Sequence, residues 1–267
     1  MSRNFELLRR ARIGETLFIQ SIGDSPPISD TPPCLKGNIA RNESIEPEKA
    51  EALLPGRELS GLAQEELIKL VQRVFVSPNS HAPRAVVFSS VEGNGSSEIC
   101  YRAGEVLAAQ GSGSVCLVDA NLRAPSLHLL LGVGKFPGLA DATVKPGPIK
   151  DFVVRIAGGN LWVVPPGSST GEAQGLYASD RLRARMRELR QEFGYVLIDA
   201  PPVSSYADAV LLGQMADGVI LVVEANSTRR ETARMAKETL ENANVGLFGA
   251  ILNNRTFPIP EAIYRRL

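Results

Sequence analysis

The chain has 267 residues, 44% hydrophobic and 22% charged, the balance of a soluble globular protein with room for a sizeable core. Lysine plus arginine and aspartate plus glutamate are equal at 29 each, so no global field draws the protein to nucleic acid or to an anionic membrane. No run approaches the roughly 18 apolar residues of a membrane span, and the opening MSRNFELLRRARIG lacks the apolar centre of a secretion signal. Three cysteines without metal-ligand spacing suit a reducing compartment. The expected location is therefore cytoplasmic, with any contact to the inner membrane made through a partner.

Along the chain, residues 1–60 read as a segment apart. Phe5, Leu7, Leu8 and Ile13 interleave with Arg3, Arg9, Arg10 and Arg12, a pattern open to a frayed terminus or a short basic docking helix. Six prolines between Pro26 and Pro55 then mark a flexible tether. Residues 61–267 read as one domain. Glu65 to Phe75 is an amphipathic helix, and short apolar strands follow at Ala85 to Phe88, Val115 to Asp119, Leu161 to Val164, Tyr195 to Asp199, Gly218 to Val223 and Phe248 to Leu252. Helical stretches separate them at Ile99 to Gln110, Asp180 to Phe193, Tyr206 to Met215 and Arg229 to Ala243. Apolar strands alternating with helices predict an α/β fold: a mostly parallel sheet with helices on both faces.

Ligands of such sheets bind beyond the carboxyl ends of the strands, which directs attention to three strand ends. After the first strand, Ser90-Val91-Glu92-Gly93-Asn94-Gly95-Ser96-Ser97 has the outline of a phosphate-binding P-loop, G-x-x-x-x-G-K-[ST], set between a strand and a helix. Gly95 and the Ser97 hydroxyl match it. Ser96 stands where the lysine belongs, Ser90 replaces the first glycine, and Glu98 adds a negative charge just inside the helix. The second and fourth strands of the pattern, VCLVD and YVLID in sequence, end in Asp119 and Asp199, placed as Mg²⁺ carboxylates would be beside a nucleotide. Each residue has a plainer reading too: Asp199 as a turn cap, Arg123 as the partner of a nearby carboxylate, Asn253 as a turn residue. His128 reads as a satisfied structural group, and Cys100 and Cys116 as small core residues.

Asp119-Ala120-Asn121-Leu122-Arg123-Ala124-Pro125 with His128, then Asp199-Ala200-Pro201-Pro202, resemble motifs of the bacterial tyrosine kinases of capsule and exopolysaccharide systems, within the P-loop ATPases that include MinD-like and ParA-like proteins. Pro137-Gly138-Leu139-Ala140-Asp141, Leu161 to Gly167 and Ala207-Asp208-Ala209 are similar to further stretches of that family. The resemblance covers roughly Glu65 to Arg255. It implies ATP and Mg²⁺ as cofactors, with Gly93, Asn94, Gly95, Ser96, Ser97 and Glu98 around the phosphates and Asn253 near the adenine. It implies Ser97, Asp119 and Asp199 at the metal, and Asp119, Asp199 and Arg123 in catalysis. It also implies a membrane chain-length protein as partner, with a homo-oligomer or a catalytic paralogue as further associates, and no nucleic acid.

Four of the family's elements are altered: the P-loop lysine is Ser96, the second acid of the second motif is Asn121, the E-x-x-R-x-x-R assembly element reads Glu66-x-x-Lys69-x-x-Gln72, and the tyrosine tail has only Tyr264. A lysine–phosphate contact is worth about 1.5 to 3 kcal/mol, a factor of roughly ten to more than a hundred in affinity. The expectation is a kinase-like protein of weak or absent catalysis. The alternatives are an active autokinase with Tyr264 as acceptor and a MinD-like or ParA-like positioning ATPase.

Overall fold

The computed structural model describes residues 61–76, 82–93, 95–111, 113–134, 136–156, 159–168 and 173–254. The tether, Asn94, Cys34 and Tyr264 lie outside them. Among the described residues seven strands form one sheet: β1 (Ala85–Ser90), β2 (Val115–Asp119), β3 (Val154–Arg155), β4 (Leu161–Val164), β5 (Tyr195–Ala200), β6 (Gly218–Glu224) and β7 (Leu247–Asn253). Their spatial order is β3-β4-β2-β5-β1-β6-β7. All pairs are parallel except the short edge pair β3–β4. The six predicted strands are all present. The seventh, β3, is two residues long and carries no periodic signal.

Helices cover both faces. The first, α1 (Gly61–Phe75), buries Leu67, Leu70, Val71 and Val74 on one stripe at helical spacing. With α2 (Ser96–Ala109) it covers Val86, Phe88, Leu117 and Leu197 of the central strands. On that same face α3 (Leu127–Leu130) buries Leu127, while the opposite face carries α4 (Leu139–Val144), α5 (Ala173–Leu176), α6 (Asp180–Glu192), α7 (Asp208–Gly213) and α8 (Arg230–Asn242). Among these, α6 starts at Ser179, whose hydroxyl accepts the Leu182 amide, and buries Leu182, Met186 and Leu189 against Val87, Val118 and Ile198.

Strand alternation aims the strand-end side chains. Val115, Leu117 and Asp119 lie on one face of β2, and Tyr195, Leu197 and Asp199 lie on the same face of β5. Asp119 and Asp199 are neighbours in register. Because β5 also lies between β2 and β1, Asp199 falls between Asp119 and the glycine loop that follows β1. Among the described residues, no helix is long and apolar enough to cross a membrane.

Candidate functional site

The loop after β1 is fixed at its base before it turns. The Ser89 hydroxyl donates to the Pro201 carbonyl (2.6 Å), the Val91 amide to the Val222 carbonyl (2.9 Å), and the Ser90 hydroxyl to the Gly93 carbonyl (2.9 Å). Thus Ser90, standing where the motif has a glycine, closes the loop from within. Gly93 and Gly95 take positive φ values of +71° and +108°. Such a conformation strains any residue with a Cβ, and at Gly95 that atom would stand 2.7 Å from Asn253 Nδ2. Gly95 is the N-cap of α2, so the first amides of that helix have no intrahelical acceptor and face the loop.

At the core of the site is Asp199, which is fully buried. The Ser96 hydroxyl donates to its Oδ1 (3.0 Å) and the Ser97 hydroxyl to its Oδ2, while Ser126 donates in turn to Ser97 Oγ (2.8 Å). Burial, then the adjacent Asp119 carboxylate, pushes the Asp199 carboxyl up to about 7, with the two serine hydroxyls pulling the other way. Asp119 Oδ2 accepts the His128 amide (3.2 Å) and lies 3.0 Å from His128 Nδ1. Its Oδ1 is buried without a hydrogen-bond partner among the described residues. His128 is accordingly the structural partner expected of it.

Arg123 is held elsewhere. Its Nε donates to Asp208 Oδ2 at 2.6 Å, its second amino group approaches Oδ1 at 3.4 Å, and the guanidinium lies 4.1 Å from the centre of the Tyr206 ring. The plainer reading, pairing with a carboxylate, describes this residue. Asn121, where the family has an acid, accepts the Ala124 amide through its side-chain oxygen (3.3 Å) and shapes its own turn. Asn253 ends β7 opposite Glu224, with 6% exposure and an Oδ1 that has no hydrogen-bond partner among the described residues. Glu98 lies in the first turn of α2.

The structure therefore brings Gly93, Gly95, Ser96, Ser97, Asp119, Asp199 and Asn253 to one end of the sheet, with Arg123 tied to its rim. Residues not anticipated as part of this site are Ser126, Glu224 and Tyr177. Glu224 Oε2 would be 3.7 Å from a Cβ on Gly93. Tyr177, wholly buried, donates to the Ala120 carbonyl (2.7 Å) and accepts the Leu122 amide (3.3 Å), which fixes the turn after β2. A lone tyrosine between turns offers no sequence signal for that role.

No protein-family model matches the chain. It is 30% identical over 181 residues to the tyrosine-protein kinase YwqD of Bacillus subtilis, covering 68% of this chain and 76% of that protein. To the putative tyrosine-protein kinase CapB of Staphylococcus aureus it is 24% identical over 148 residues, 55% of this chain and 65% of CapB. The crystal structure of the chimerical protein CapA2B2 matches its fold with a TM-score of 0.69 at 23% identity, covering 74% of this chain and 87% of that one. Joined to the strand-end motifs, the likeness to YwqD establishes that the chain belongs to the CapB-like family of bacterial tyrosine-protein kinases.

Proposed function

We propose that this chain is a tyrosine-kinase-like P-loop protein of capsule or exopolysaccharide synthesis in which catalysis is weak or absent. It acts as a regulatory partner of a membrane chain-length protein, or of a catalytic paralogue, at the cytoplasmic face. The observation that carries the reading is the state of position 96. Its hydroxyl is spent on Asp199, and it offers no cation where a lysine would neutralise the β- and γ-phosphates. Arg123 does not replace it, because Asp208 and Tyr206 hold the guanidinium.

The residues present fit Mg²⁺. The unpartnered Asp119 Oδ1, the Asp199 carboxylate and the Ser97 hydroxyl are hard oxygen donors, and Mg²⁺ takes one or two carboxylates and completes its shell with water and phosphate. When bound, the ion supplies neutralisation of phosphate charge. Ser126 keeps the Ser97 oxygen oriented, and the buried carboxyl of Asp199 must lose its proton to serve. The residues also fit the backbone part of a nucleotide site, with the α2 amides and the glycine turn toward the phosphates and the Asn253 amide behind them. Phosphoryl transfer rests on positioning and on neutralising charge, so a site that keeps the cradle and lacks the cation retains binding better than rate.

The test is autophosphorylation of the full chain with ATP and Mg²⁺, read by mass spectrometry on tyrosine. The expected result is no phosphotyrosine above that of an Asp199→Ala control. Mg²⁺-dependent phosphotyrosine that disappears in Asp199→Ala would establish the active-autokinase reading instead.

A further inference from the structure

Resting on the reading of this site as a nucleotide site, we propose that it is a receptor for a nucleoside diphosphate, holding Mg-ADP in preference to Mg-ATP. Each surviving element of the site serves a particular part of the phosphate chain. Backbone amides of a P-loop surround the α- and β-phosphates, whereas its lysine reaches the β- and γ-phosphates. Of the backbone part, the described residues are set: Gly93 and Gly95 hold positive φ, α2 opens directly at Gly95, and Asn253 packs its amide on Gly95 with a buried Oδ1 that has no hydrogen-bond partner among the described residues. The part that would meet the third phosphate is not.

Ser96 donates to Asp199, and Arg123, which follows the end of β2, is held by Asp208. What the loop offers instead is negative charge. Glu98 stands in the first turn of α2, the Glu224 carboxylate borders Gly93, and Asp119 and Asp199 lie side by side at the end of the sheet. A γ-phosphate adds about one further negative charge to a ligand that already faces these acids, and neither Ser96 nor Arg123 brings a cation to meet it. The same extra phosphate that gains affinity from a lysine therefore loses it here.

Calorimetric titration of the full chain with ADP and with ATP, each at saturating Mg²⁺, tests this. ADP is expected to bind at least about threefold more tightly than ATP, and Ser96→Lys to raise ATP affinity by about tenfold and ADP affinity by less, so that the preference narrows or inverts. Equal or tighter binding of ATP by the wild-type chain overturns the preference while leaving a nucleotide site in place. Binding of neither nucleotide at millimolar concentration overturns both the preference and the nucleotide reading on which it rests.

Discussion

At the scale of single residues, Arg123 and Asp208 show how much of this site is held by a contact rather than by a motif. Asp208 is 6% exposed at its side chain and starts α7, so its carboxylate is tolerated where it is because the guanidinium donates to both of its oxygens. Removing the arginine leaves that charge buried and alone. Arg123→Ala is expected to lower stability by about 2 kcal/mol in denaturant unfolding. The double change with Asp208→Ala should cost less than the sum of the two single changes, the mark of direct coupling. Sequence alone offered Arg123 both as a catalytic residue and as the partner of a carboxylate, but that carboxylate lies 85 positions away at the start of α7, and no local pattern announces which one it is. Ser126 was hidden for the same reason. A hydroxyl in a turn is ordinary until the fold sets it 2.8 Å from Ser97.

At the scale of elements, two stretches shared with the family prove to be halves of one structural latch. The Leu139 and Ala140 amides donate to the carbonyls of Pro165 and Pro166 (2.8 and 3.0 Å), so α4 hangs from the segment that follows β4. A Cβ on Gly138 would stand 2.0 Å from the Pro165 oxygen, which leaves no room for a side chain. Gly138→Ala is therefore expected to cost about 3 kcal/mol, measured by denaturant unfolding. Asp141 completes the latch. Burial alone raises its carboxyl, but hydrogen bonds from the Ser168 hydroxyl and amide, the Gly138 amide and Lys145 outweigh burial and hold it down at about 2.

A carboxyl held at about 2 in the folded chain and 3.8 in the unfolded one contributes about 2 kcal/mol above both values. Between the two values the unfolded state binds the proton more readily, so the contribution is present above pH 4 and fades as the pH falls toward 2. Acid titration of stability in the wild type against Asp141→Asn is the check, with the difference between them shrinking over that range. The six apolar strands and the longer helices were legible because each sustains its period over four or more residues. The short pieces α3 to α5 and the two-residue β3 were not, since neither a turn of helix nor a pair of strand residues makes a period, and tertiary contacts alone define them.

At the scale of the molecule, the sheet order explains why a glycine loop and two acidic strand ends that are far apart in sequence act as one site. Placing β5 between β1 and β2 sets Asp199 in register with both Phe88 and Asp119. That arrangement is intact, and so is the family's fold, while Ser96, Asn121 and Arg123 are all engaged in internal hydrogen bonds. A scaffold that keeps its geometry and turns its polar groups inward is what the proposed loss of catalysis requires. The most direct measurement is phosphate release from ATP by the full chain with Mg²⁺, beside an EDTA control and Asp199→Ala. The wild-type rate is expected to be indistinguishable from both controls. Turnover that needs Mg²⁺ and vanishes in Asp199→Ala would contradict it.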